Sequence, residues 1–181
     1  TLDIEGVATF TVAGGQSISV ASTSNDFTAT PVFSRAGTLA NVTIKDNSAL
    51  VLAGSAALTL SGDLTVTVAG GALTQTNQLV VPGTTTISAS GQYVTLNDSS
   101  NNFGSIGLTG ATVILRDTNA VVLGTSTVTG TYLLTAGDAV TQSGALAIAS
   151  NTATISASGS DVTLNDASNN FATIGVTGCL L

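Results

Sequence analysis

The sequence predicts an all-β fold, a parallel β-solenoid with coils of about 20 residues. Three observations carry that reading. The first is self-similarity at long period. Val94-Thr95-Leu96-Asn97-Asp98-Ser99-Ser100-Asn101-Asn102-Phe103 returns, at an offset of 68, as Val162-Thr163-Leu164-Asn165-Asp166-Ala167-Ser168-Asn169-Asn170-Phe171. The second is strict alternation of an aliphatic residue with Thr, Ser or Gly, which puts one kind of side chain on each side of a strand. The third is the spacing of equivalent strands, which stays near 20 over most of the chain.

Taken in order, the strand signals begin with Ile18-Ser19-Val20. It leads to Ser24-Asn25-Asp26-Phe27, a worn copy whose Phe stands at an offset of 76 from Phe103. Val42-Thr43-Ile44, Leu58-Thr59-Leu60 and Leu64-Thr65-Val66-Thr67-Val68 follow, then Val94-Thr95-Leu96, Ile106-Gly107-Leu108, Val162-Thr163-Leu164 and Ile174-Gly175-Val176. Turn residues separate them, among them Gly14-Gly15, Asp46-Asn47, Gly62-Asp63, Gly70-Gly71, Asn97-Asp98, Gly137-Asp138 and Asn165-Asp166. No stripe of helical period runs through the chain. The spacings Ile18, Val42, Leu64, Val94 are 24, 22 and 30, and the spacings Val94, Val113, Leu133, Val162 are 19, 20 and 29. The expected organisation is therefore one domain, 1–181, with repeats over 18–93 and 94–161 and a partial one over 162–181. Each repeat holds two short sub-units and a long third one, whose extra length is read as a loop at 69–86 or 136–153. In such a stack Phe27, Phe103 and Phe171 are expected at one corner of the core in different coils. Asn97 and Asn165 are expected at matching turns, where Asn accepts left-handed backbone and bonds to neighbouring coils. A β-sandwich of short strands is the alternative fold, disfavoured because hairpin signals are few.

Composition narrows the function classes. Charged residues are 7% of the chain, against roughly 25% in an ordinary soluble domain. The net charge is −7, with one Lys (Lys45), two Arg (Arg35, Arg116) and no His. That argues against nucleic acid, whose phosphates need a basic stripe, and against anionic membrane surfaces. No apolar run approaches the ~20 residues of a membrane span. The single Cys179 rules out a disulfide within the chain and reads as a small inward apolar residue. No signal peptide opens the sequence, so the chain reads as a mature product or a piece of something longer.

Candidate chemistry is sparse. Asp46, Asp98, Asp117 and Asp166 each follow a strand, and a ladder of them along one edge is the weak candidate for calcium. Turn capping by Asp is the simpler expectation, and no calcium-loop spacing occurs, so no cofactor is expected. Catalysis is not expected either. A polysaccharide-cleaving groove needs clustered acids with a base, and here Ser has no His partner. Arg35, Lys45 and Arg116 are scattered and read as surface pairing partners. The pairs Thr9/Thr11, Thr65/Thr67, Thr84/Thr86, Thr127/Thr129 and Thr152/Thr154 are spaced irregularly, at 56, 19, 43 and 25, so a regular threonine array is not expected.

Three segments carry a family resemblance: Val94–Gly110, Ala111–Gly130 (ATVILRDTNAVVLGTSTVTG) and Ala139–Ala149 (AVTQSGALAIA). They resemble the repeats of filamentous-haemagglutinin-like, two-partner-secreted bacterial adhesins and of β-strand-repeat surface exoproteins. The resemblance covers nearly the whole chain and is weakest over 1–40. It implies a right-handed parallel β-helix, export to the bacterial cell surface or beyond, and a role as a stiff stalk or filament. The secretion signatures NPNG and NPxG of that family are absent, which makes this a passenger segment. The expected function is a structural module that stacks head to tail, since an uncapped solenoid presents open strand edges. The alternative is a binding module that recognises a host or matrix glycan or protein through a lateral face or loop. Tyr93 and Tyr132, the two polar aromatics, are not clustered, which favours the scaffold.

Overall fold

The computed structural model describes residues 1–36 and 38–180, with the side chains of 34–36, 149 and 180 outside that description. Among the described residues every regular element is a strand, and all the strand pairs are parallel. The strands stack into a β-solenoid of about 8 turns, about 21 residues apart. At one strand spacing per turn the rod is ~40 Å long.

The alternating sequence becomes the wall of the rod. In Val42–Asp46 and Leu64–Val68 every other side chain is buried and the ones between are half-exposed. Parallel register then piles like on like. One face carries Ile18, Val42, Leu64, Thr85, Ile106 and Leu123 in successive coils. A second carries Leu50, Leu73, Val94, Val113, Tyr132, Ala153 and Ile174. On the third, Leu39 bridges Leu60, Leu58 lies beside Leu79, and Val81 beside Phe103. Burying one such aliphatic side chain contributes about 1.5–3 kcal/mol. Among the described residues these columns make one continuous core.

The register corrects the expected phase of the coils. Leu64 pairs with Thr85 and not with Val94, Val113 pairs with Tyr132 and not with Leu133, and Leu133 pairs with Thr154 and not with Val162. No sub-unit is long. Starting at Val94, three coils lead through Val113 and Tyr132 to Ala153, still on the same face. The repeat mate Val162 lies further along the chain than Ala153 and pairs with Val140, on the next face. The same holds for Leu64, whose mate Tyr132 stands on the second face while its own column continues to Leu123. One sequence repeat is three coils plus one face. The supposed long third sub-unit is an ordinary coil with an extra face attached. Residues 69–86 and 136–153 accordingly hold the strands Leu73–Gln75 and Leu79–Ser88, and Val140–Gln142 and the start of Leu146–Val162, in place of loops.

The three phenylalanines therefore do not share a corner. Phe27 lies beside Ile4, Phe103 beside Val81, and Phe171 beside Ile148. Phe27 occupies the same coil as Leu39, whose column leads up to Phe103, so the two rings stand over different faces. Each ring holds the equivalent place one face further round. Phe27 and Phe103 are buried and Phe171 is half-buried. Phe27 also meets Phe10 edge to face, with ring centroids 5.9 Å apart. Tyr132 is a core residue and Tyr93 stands 62% exposed, so the two tyrosines have opposite roles. Cys179 is exposed, against the expectation of an inward position. Because Phe103 fills a closed core, Phe103→Ala should lower stability by about 3–5 kcal/mol. Tyr93→Ala should stay within about 0.5 kcal/mol, both read from chemical denaturation midpoints.

Candidate functional site

The repeated N-x-F segment forms a corner that is stapled to the coils on both sides. In each copy the backbone first closes a tight turn. Asn25, Asn101 and Asn169 donate their N–H to the carbonyls of Ser22, Asp98 and Asp166, at 3.3, 3.2 and 3.1 Å. The Asp98 and Asp166 carboxylates accept the N–H of Ser100 and Ser168, each at 2.8 Å, as local turn caps. The Asn side chain then turns inward. Asn101 is fully buried; its Oδ1 accepts the Leu79 N–H of the preceding coil at 2.8 Å, and its Nδ2 donates to Leu96 O at 3.2 Å. Asn25 and Asn169 reach back in the same way, to Leu2 N at 2.9 Å and Leu146 N at 2.9 Å. Two of the three add a reciprocal amide pair, Asn101 with Gln75 and Asn169 with Gln142.

The link to the following coil is a carboxylate. Asp117 Oδ2 accepts the Phe103 N–H at 2.6 Å and Oδ1 accepts the Asn119 N–H at 2.9 Å. Asp46 Oδ1 accepts the Phe27 N–H at 3.3 Å and the Ser48 N–H at 3.1 Å, while its buried Oδ2 has no partner. Burial pushes the Asp117 carboxyl above its ordinary value, and the two backbone N–H groups offset part of that rise.

The four aspartates considered for calcium thus divide into two kinds. Asp98 and Asp166 cap exposed turns, and Asp46 and Asp117 are buried staples one coil above a Phe. They do not form one ladder, and among the described residues no three acidic, His or Cys side chains converge. Asn97 and Asn165 stand outside the core just before the turns and neither has left-handed backbone. The residues that bond between coils are Asn101 and Asn169, four positions on. The left-handed positions of the repeat include the glycines Gly91 at φ 75° and Gly159 at φ 85°. The Arg35 side chain lies outside the described residues.

Polar residues between the inward positions line up more regularly than their spacing along the chain suggests, although the Thr109 hydroxyl is itself buried. Ser19, Thr43, Thr65 and Thr86 share one register column, and Lys45, Thr67, Ser88, Thr109 and Thr127 the next but one. Register, and not a constant gap, aligns them.

One place breaks the regularity. Phe27 and Phe103 stand at an offset of 76, but Asp46 and Asp117 at 71, and Leu60 and Val128 at 68. The first repeat thus carries five extra residues between Phe27 and Val42 and three more between Leu52 and Leu58. Hydrogen bonds show the first excess directly. The corner carbonyl of Asn25 accepts the N–H of Asn47 in the next coil, and that of Asn101 accepts the N–H of Thr118; the first coil is longer by the same five. The two insertions lie in adjacent coils and line one groove of about 650 Å³, between Pro31, Val32 and Phe33 on one side and Ala53 to Leu58 on the other. The unequal offsets, 76 against 68, were the available sequence signal for this groove.

A family described as "Repeats of unknown function (DUF5649)" matches residues 39–109 and 110–177. The chain belongs to that repeat family. The first unit runs from the third face of one coil to the first face three coils later, the second ends one face further round, on the second-face residues Ile174 to Thr177, and the groove-forming segment at Pro31 to Phe33 falls before the first of them. Comparison with curated proteins and with solved structures gave no match. Repeat membership and the β-solenoid together make this chain a structural or binding module.

Removing the buried amide should be costly where the outer one is silent. Asn101→Ala strands the Leu79 N–H and the Leu96 carbonyl, at about 1–3 kcal/mol for each group left unpaired. Asn97→Ala should change little, and thermal melts of the two variants separate the roles. Asp117 adds a pH signature. Its folded-state pKa is raised, so its contribution is complete below the ordinary carboxylate value and is lost as pH rises through the folded value. Between neutral pH and about pH 4, wild type should therefore gain stability relative to Asp117→Asn as pH falls. A gap in Tm that stays constant or narrows on acidification contradicts this.

Proposed function

We propose that the chain is a non-catalytic stalk or filament module of a secreted bacterial surface adhesin or extracellular fibre, and that it stacks end to end. The observation that carries the reading is the parallel register that runs from coil to coil on the first and second faces. Backbone bonds between coils run along the rod, so length and stiffness scale with coil number, and stability is near-additive per coil. Within the described residues no helix covers either end coil. An open parallel strand edge at the end of a run of coils is a template for a further coil. Low charge and a hydroxyl-rich exterior suit a surface facing outside the cell, and the resemblance to adhesin repeats supports the same setting. A binding role through a lateral face is the second reading, favoured by the groove beside Phe33.

Negative-stain electron microscopy across a concentration series tests the stacking. Filaments several times longer than the ~40 Å rod are expected. Discrete short rods at every concentration overturn end-to-end assembly.

A further inference from the structure

We propose that the groove between Val32–Phe33 and Ala53–Leu58 is a strand-acceptor site, which takes an extended, uncharged peptide of a partner protein along the open edge of the strand Val32–Ala36. The site goes beyond the stalk reading, since a rod can carry it whether or not its ends stack.

The edge is the first argument. Val32–Ala36 pairs with Thr9–Ala13 and forms a two-stranded sheet of its own. Val32 donates its N–H to Ala8 O at 2.8 Å. In a parallel ladder successive residues turn their backbone groups to opposite neighbours, so Phe33 directs its N–H and C=O away from that partner and toward the groove. Among the described residues no strand pairs with this second edge. The repeat-equivalent strand Asn102–Gly110 has both edges filled, by Leu79–Ser88 on one side and by Val121–Leu123 and Ser126–Val128 on the other.

The second argument is that two separate insertions, in two adjacent coils, create the same opening. Insertions in repeat proteins collect on the face that binds. The segment at Ala53 is held in place. Its carbonyl accepts the Asn77 N–H at 3.1 Å and the Asn77 Nδ2 at 2.8 Å, and Gly54 packs against the Thr30 side chain so closely that a Cβ there has no room. Ala53 itself sits at φ 53°, a left-handed conformation that costs an L-residue roughly 1–2 kcal/mol. Strain of this sort collects at binding sites.

The lining chooses the occupant. Gly54, Ser55, Ala56 and Ala57 are small, and no lining residue among the described ones is charged, so a charged ligand finds no counter-ion among them. A purely apolar small molecule leaves the Phe33 amide unpaired, which costs affinity. The one aromatic ring, Phe33, is stacked on Phe10 at 5.9 Å and is not free to platform a sugar. Backbone pairing along an edge with small alternate side chains is the mode that uses what is present.

The probe is a peptide copying residues 121–130, the segment that fills the equivalent edge in the second repeat. Added to the isotope-labelled chain, it should slow hydrogen exchange of the Phe33 amide by about tenfold or more, equivalent to about 1.4 kcal/mol. Ala56→Trp, which fills the groove, should abolish that protection with Tm unchanged. A peptide with Pro at its centre should bind far more weakly. No response at millimolar peptide overturns the proposal. So does binding that leaves the Phe33 amide unprotected, or a chitin oligosaccharide that occupies the groove when the peptide does not. None of these outcomes bears on filament formation, so the two readings fail separately.

Discussion

Parallel register between successive coils is the constraint from which the rest follows. Strands of the first two faces bond to the coil before and the coil after, and most inward side chains stand on other apolar ones. Val42, Leu64 and Thr85 follow one another on one face, and Leu73, Val94 and Val113 on another. This stacking makes a chain with 7% charged residues and five Phe into an ordered body. The core is one aliphatic column per face, so no single large side chain must knit distant segments together.

Corners are where such a column is at risk, because the backbone leaves the ladder and its polar groups lose their partners. The buried Asn of N-x-F answers that problem by acting as a detached piece of backbone. Its amide offers an acceptor to the coil below, at Leu79 N, and a donor within its own turn, at Leu96 O. Asp117 and Asp46 do the same for the coil above by receiving the Phe N–H. A fully satisfied buried polar group such as Asn101 or Asp117 fixes one geometry, so these corners help set the register along the columns. In the first repeat, where the spacing changes, this network persists at Asn25 and Asp46 while the wall beyond it opens.

The all-β solenoid, the alternation of faces and the coil length were legible in the sequence, because strand period and repeat period are both local patterns. The phase of the coils was not. Val94 and Val162 are identical in context, and sequence equivalence reads as stacking equivalence. The structure places them on different faces. What the sequence repeats is three coils and a face, while what the backbone repeats is a single coil of about 21 residues. The same ambiguity sent the three Phe to one corner and the extra length to loops. Asn97 drew attention ahead of Asn101 because both lie in one string of turn residues. Only burial distinguishes them, and burial depends on the direction in which the turn closes.

The mismatch of those two periods has a consequence for any longer run of such units. Each repeat advances three and one-third turns, so an identical patch reappears about 16 Å along the axis and one-third of the way round. A flat partner lying along the rod meets every third copy, and neighbouring copies face away from it. Three partners can approach the same stretch from three directions without competing. Spacing and direction of ligand capture would thus be written into the remainder left when the genetic unit is divided by the structural one, and deleting one face from each unit would align every copy on a single side.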